Sequence, residues 1–189
     1  MRIIGGKFSG RRIDAPKGLV ARPTADRTRE SLFNILNART DVDFSSARVI
    51  DLFAGSGALG LEAMSRGAQW CQFVETDAAA RGAIRDNIEA LALFGATRIH
   101  RRSATDLGVL PAAAGPPFTL AFLDPPYGKE LCAPTLSSLH CGGWLTPGAV
   151  VVVEQGKDET PVDAAQFVED DRRRYGAAQI GIYLYAPKA

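Results

Sequence analysis

The chain has 189 residues, 46% of them hydrophobic and 23% charged, with 22 Lys and Arg against 21 Asp and Glu. That length builds a full core without staples and favours one domain with at most a small appendage. The composition excludes a low-complexity or disordered chain. No apolar run approaches the ~20 residues of a membrane span, and the charged N-terminus lacks the apolar stretch of a secretion signal, so the cytoplasm is the expected compartment.

The net charge of +1 hides an asymmetry. Residues 1–40 carry nine basic and three acidic side chains, a net of +6, against −5 for the remainder. A basic segment of this kind is an electrostatic footprint for a polyanion, or else a solvated basic face. Cys71, Cys132 and Cys141 show no Cys-x-x-Cys spacing. They are expected as buried small hydrophobes, with neither a metal site nor a disulfide framework. His100, inside a strand, and His140 are expected as structural residues.

In chain order, Arg2-Ile-Ile-Gly-Gly-Lys7 and Gly10-Arg-Arg-Ile13 are short β-type runs around glycine-rich turns, which predicts a basic β-hairpin extension over residues 1–22. Residues 23–189 form the second expected unit. Pro23-Thr24 precedes a helix whose apolar stripe is Leu32, Phe33, Ile35 and Leu36, ending near Arg39. Strands are predicted at 48–53, 72–75, 98–100, 118–124 and 149–154, with helices at 58–66, 78–94 and 131–139. Gly67 is placed to close the second helix. Phe167-Val168 and Ile180 to Tyr185 flank a polar turn around Arg172–Gly176, a terminal antiparallel hairpin. Strands alternating with helices imply an α/β fold, a mostly parallel sheet with helices on both sides.

Asp51-Leu-Phe-Ala-Gly55-Ser-Gly57-Ala-Leu-Gly60 satisfies G-x-G-x-x-G between a predicted strand and helix, the context that motif demands. Glu75, twenty residues after Gly55, ends the next strand, where a carboxylate can accept both hydroxyls of a ribose. A dinucleotide and S-adenosylmethionine both fit this pattern. Asp51, just before the turn, suits a cationic ammonium or sulfonium group and does not suit a pyrophosphate; the competing reading is that it ties down the loop. Phe53, Ala54, Gly55, Ser56 and Gly57 complete the expected cofactor wall. Ser103 and Ala104, beyond the third strand, border the expected adenine site.

Asp124-Pro125-Pro126-Tyr127 follows an apolar strand and so lies on the same edge as the glycine turn. The prolines remove two N–H donors. The Asp124 carboxylate and the Pro125 carbonyl can then accept both hydrogens of an exocyclic amino group and aim its lone pair at a methyl donor. Tyr127 offers a ring for stacking, worth about 1–3 kcal/mol per base. The plain alternative is an Asp-Pro turn.

With these segments in view, the sequence resembles the RsmD-type family of 16S rRNA guanine-N2 methyltransferases nearly end to end. The resemblance is carried by Arg2 to Lys7, Arg22-Pro-Thr-x-Asp26-Arg27-x-Arg29-Glu30-x-Leu-Phe33-Asn34-Ile-Leu36, Asp51 to Gly57, and Asp124 to Tyr127. It implies a class I methyltransferase fold, Rossmann-like with a mostly parallel seven-stranded sheet, S-adenosyl-L-methionine as donor, and a guanine of small-subunit rRNA as acceptor. It also implies that Asp51 to Gly57, Glu75 and Asp124 line the cofactor and that Asp124 to Tyr127 hold the base. Lys7, Arg11, Arg12, Arg22, Arg27 and Arg29 are the expected phosphate contacts, with Thr24 and Arg29 open to a cofactor role instead. A monomer acting on 16S rRNA within an assembling small subunit is the expected partnership. The competing functions are DNA adenine-N6 methylation, methylation of a protein glutamine amide, a non-catalytic nucleic-acid-binding module and, least of all, a dinucleotide-dependent oxidoreductase.

Overall fold

The computed structural model describes residues 1–16 and 23–188. Seven strands, β1 (Arg48–Leu52), β2 (Trp70–Val74), β3 (Thr97–His100), β4 (Phe118–Leu123), β5 (Leu145–Gly156), β6 (Phe167–Tyr175) and β7 (Ala178–Tyr185), form one sheet in the order β3-β2-β1-β4-β5-β7-β6. The first five run parallel, and β7 inserts antiparallel between β5 and β6. The chain therefore reverses its direction of winding between β1 and β4, the kind of switch point beside which α/β sheets bind ligands.

Two cores flank the sheet. On one face Val49, Phe73, Leu120, Phe122, Val150 and Val152 pack among Leu32, Phe33, Leu61 and Ile84 from helices α1 (Pro23–Ala38), α2 (Ala58–Ser65) and α3 (Ala78–Ala90). On the other face Ile50, Leu52, Ala121, Val151 and Val153 pack against Trp144 and Leu136 of helix α4 (Cys132–Cys141). The connection from β3 to β4 carries only a 3-10 turn at Ala112–Ala114, so the second face has the thinner cover.

Several boundaries move for identifiable reasons. Helix α3 stops at Ala90 rather than near Phe94. Ala92 takes φ 54°, and Leu93 N–H returns to the Ile88 carbonyl at 2.9 Å, so Leu93 enters the core. Helix α2 ends as expected at Gly67, φ 118°, with Ala68 N–H on the Ala63 carbonyl and Gly67 N–H on the Met64 carbonyl. Arg172 to Arg174 are not a turn: β6 runs to Tyr175, and the chain reverses at Gly176. They belong to an edge strand, where charged side chains block further pairing. A register shift between Glu169 and Asp171 turns Asp170 out to Arg39 beyond the end of α1, 2.6 Å away.

The N-terminal segment is closed by a single antiparallel bridge, Arg2 with Arg12, around a 3-10 turn at Gly6–Phe8. It packs into the first core through Ile3 and Ile13, each 1% exposed. Its backbone is held by buried side chains of α2. The Glu62 carboxylate accepts from Ile4 N–H at 2.7 Å and Gly5 N–H at 2.9 Å, and Ser65 Oγ accepts from Phe8 N–H. Asn87 of α3 links Asp14 to the Ser56 carbonyl in the glycine turn. Glu62 is fully buried and also paired with Arg66 at 2.9 Å. Its removal strands two half-buried N–H groups and the guanidinium of Arg66. Glu62→Ala is expected to cost about 3–5 kcal/mol in chemical denaturation and to open residues 1–16 to limited proteolysis.

Candidate active site

The glycine turn connects β1 to α2. Phe53 takes φ 60°, Gly55 56° and Gly57 79°. A positive φ at a bulky residue such as Phe53 is strained backbone, of the kind that persists where the surroundings over-determine it. A Cβ added at Gly55 would approach nothing closer than the Phe53 carbonyl oxygen at 3.9 Å. Internal packing therefore does not demand glycine there; backbone conformation does, and the space beside it stays open.

Two carboxylates pin this turn. Asp51, 1% exposed, accepts from Gly60 N–H at 2.9 Å through Oδ2, completing an N-terminus of α2 that has no side-chain cap. Glu75 accepts from Gly55 N–H at 2.9 Å and Asp77 N–H at 2.8 Å, one per oxygen. Asp51 thus ties the loop as one sequence reading held, while its second oxygen has no protein partner among the described residues. Burial, opposed by the Gly60 hydrogen bond and aided by the Glu75 charge, pushes the Asp51 carboxyl up to about 7.

Parallel pairing of β1 with β4 sets Leu52 beside Leu123, so Asp124 emerges on the same edge as the glycine turn. Asp124 reaches the surface but is ringed by protein, and its carboxylate accepts no hydrogen bond from any described residue. Burial, then the charges of Glu154 and Asp51, push it well above the ordinary carboxylate range. Pro125 is buried and Pro126 exposed. Tyr127, 38% exposed, donates its hydroxyl to Glu154 Oε1 at 2.5 Å. Glu159 accepts from Gly128 N–H and fixes the chain just after the motif.

Glu154 was missed by sequence reasoning. The available signal was its position as the acidic residue after the valine run of β5, on the edge that already held Asp51, Glu75 and Asp124. Strand alternation decides the rest. Val49, Phe73, Phe122 and Val152 all face the first core. Two residues on, Asp51, Glu75, Asp124 and Glu154 take that same face. Four carboxylates from four adjacent strands thus form a row.

The other expected residues scatter. Ser103 is exposed and its Oγ lies 2.7 Å from Thr105 Oγ1, whereas the Ala104 side chain is buried in the second core. Among the basic residues, Arg29 is 5% exposed and donates to the Arg2 carbonyl at 2.6 Å and to Asp26 at 3.1 Å. It anchors the N-terminal segment, and its buried Nε has no partner among the described residues. Arg11 is exposed but donates to the Ala90 carbonyl at the end of α3. Lys7 sits over the Phe8 ring, in the turn held by Ser65 at the end of α2 away from the glycine turn. Arg12, beside Asp14, and Arg27 are exposed. Arg22 lies outside the described residues, as does the side chain of Thr24. Cys141 is exposed, unlike Cys71 and Cys132. His140 shares a hydrogen bond with the Tyr185 hydroxyl.

Residues 1–184 match the family model described as conserved hypothetical protein 95. The ribosomal RNA small subunit methyltransferase D of Escherichia coli K12 is 40% identical over 190 aligned positions, spanning 100% of this chain and 91% of that protein. The solved structure of the yhhF protein of Escherichia coli superposes with a TM-score of 0.82 at 34% identity, covering 100% of this chain and 99% of the other. An RNA methyltransferase from Salinibacter ruber, solved in complex with S-adenosyl-L-homocysteine, shares the fold at a TM-score of 0.62 and 15% identity, over 90% and 96% of the two chains. The sheet is that of class I methyltransferases, with the parallel strands and terminal antiparallel hairpin expected of it.

A carboxyl raised by burial stabilises the fold in its protonated form, and that contribution is lost as pH climbs from the unfolded value of 3.8 through about 7. Asp51→Asn keeps an oxygen for Gly60 N–H and carries no charge. The variant without ligand is expected to melt several degrees above the parent at pH 8 and close to it near pH 4, as read by thermal denaturation across that range.

Proposed function

The chain belongs to the conserved hypothetical protein 95 family, and from that premise we infer that it is an rRNA methyltransferase using S-adenosyl-L-methionine, with the exocyclic N2 of a guanine in small-subunit rRNA as acceptor. The observation that carries the assignment is the Asp124 carboxylate, without a donor among the described residues, one strand from the glycine turn. It is an acceptor awaiting an external N–H.

The residues at the turn suit the donor. S-adenosylmethionine supplies an electrophilic methyl group on a sulfonium cation. Asp51, poorly solvated and bonded among the described residues only to Gly60, gains from facing positive charge. Each Glu75 oxygen holds one backbone N–H and keeps a lone pair for a ribose hydroxyl. Phe53 to Gly57 form the wall, and Ser103 and Ala104 border the adenine, Ala104 through its backbone.

Asp124 and the Pro125 carbonyl accept the two amino hydrogens of the base. A guanine N2 lone pair is delocalised into the ring, so acceptors that hold these hydrogens favour the more tetrahedral transition state over the ground state. Tyr127, its hydroxyl fixed on Glu154, presents its ring to a base taken out of its stack. The Asp124 carboxyl, already poised above the ordinary range, is suited to receive the released proton. We assign phosphate contact to Arg12, Arg22 and Arg27, with Lys7 and Arg11 more remote, and propose a monomer acting in the cytoplasm on rRNA within an assembling small subunit. Residues 1–22 are then a recognition element whose described part, residues 1–16, is held against the catalytic domain of residues 23–189.

Mass mapping of small-subunit rRNA from cells with and without the protein is expected to show one N2-methylguanine that disappears; loss of an N6-methyladenine instead would replace the assignment. Asp124→Ala is expected to lower transfer by about 10²–10³-fold while S-adenosylmethionine binding, measured by calorimetry, stays near the parent value. Arg12→Glu with Arg27→Glu is expected to weaken rRNA binding and flatten the plot of log affinity against log salt by about one to two units.

A further inference from the structure

We propose that Glu154 is the residue that selects guanine over other amino-bearing purines, by accepting the ring N1–H while Asp124 accepts from the neighbouring N2 amino group. The proposal rests on the reading of the acceptor as guanine N2 and names a determinant for it.

Placement comes first. Strands β4 and β5 are parallel, with Phe122 beside Val152 and Leu123 beside Val153. The next pair in that register is Asp124 and Glu154. Both lie on the face carrying Phe122 and Val152, so their carboxylates are neighbours at one edge of the sheet. Glu154 is half-buried, held from its other side by the antiparallel pairing with Ile180 of β7. Its Oε1 receives the Tyr127 hydroxyl at 2.5 Å, and its second oxygen accepts nothing from the described residues. Tyr127 therefore orients Glu154 and leaves one of its oxygens available beside an Asp124 carboxylate that has no donor among the described residues.

Two adjacent, poorly solvated acceptors repel each other unless donors reach both. Among the nucleobases, guanine presents two N–H donors side by side, N1–H and N2–H, along one edge. Adenine sets its N6 amino group next to an N1 lone pair, which would face the Glu154 oxygen. A site built to hydrogen-bond a substrate N–H discriminates strongly against an analogue lacking it, because its own polar group is then left unmatched. The Asp-Pro-Pro-Tyr segment by itself reads only an amino group; the carboxylate from the next strand supplies the second point of recognition.

The test uses small-subunit rRNA assembled by splint ligation with either guanine or 2-aminopurine at the mapped position. The 2-aminopurine base keeps the amino acceptor but has a lone pair at N1. The parent enzyme is expected to favour guanine by at least about a hundredfold in kcat/KM. Glu154→Gln, whose amide can donate to that lone pair, is expected to reduce the preference at least tenfold. Tyr127→Phe, which keeps the Glu154 carboxylate but loses the hydroxyl that orients it, is expected to slow both reactions and to reduce the preference by less than Glu154→Gln does. A parent preference below about threefold overturns the proposal without recourse to any variant. So does a folded Glu154→Gln enzyme with the parent ratio, or a Tyr127→Phe enzyme whose ratio shifts as far as that of Glu154→Gln, since Glu154 would then act only through the tyrosine. A parent enzyme that transfers nothing to guanine defeats the functional assignment itself, a separate outcome.

Discussion

Like charges gathered at the end of a parallel sheet are the constraint from which the rest of this structure follows. Glu75, Asp51, Asp124 and Glu154 leave four adjacent strands toward one face, and each of the last three is raised by burial. Such a row is unfavourable in the free protein, and it stands because parallel pairing fixes the strand ends that carry it. Among the described residues only the Gly60 N–H and the Tyr127 hydroxyl reach Asp51 and Glu154, and no donor reaches the Asp124 carboxylate.

The N-terminal segment reads differently in three dimensions than as a basic arm. Its charges divide into those spent on the fold and those left at the surface. Arg11 closes a carbonyl of α3 and Arg12 stays exposed, while Arg29 of α1 closes a carbonyl of the segment. The segment is bound along α2 by Glu62 and Ser65, and through Asn87 it touches the backbone of the glycine turn at Ser56. The N-terminal segment thereby also braces the glycine turn.

The glycine turn shows how one loop satisfies both needs. Gly60 admits Asp51 and the ring of Phe73, which a Cβ would approach at 3.1 Å and 2.5 Å, so that glycine serves packing. Gly55 has open space beside it, so that glycine serves conformation and access. Asp51 holds the helix through one oxygen, and the other has no partner among the described residues.

The strand–helix alternation, the glycine turn, Asp51, Glu75 and the Asp-Pro-Pro-Tyr segment were legible in the residues, because each is a local pattern: hydrophobic period, backbone freedom, and removal of donors by proline. The same locality explains what was misplaced. Leu93 ended α3 early because the core drew it in, and Arg172 to Arg174 joined a strand because β7 offered an edge to pair with. Whether a given arginine stays exposed, as Arg12 does, or closes a backbone carbonyl far along the chain, as Arg29 does, depends on how the segments pack. Glu154 lies thirty positions from Asp124 and became its neighbour only through strand register. Composition and period fix which elements form; the register between strands far apart in the chain decides which side chains share a cavity, and that is set by packing of the whole sheet.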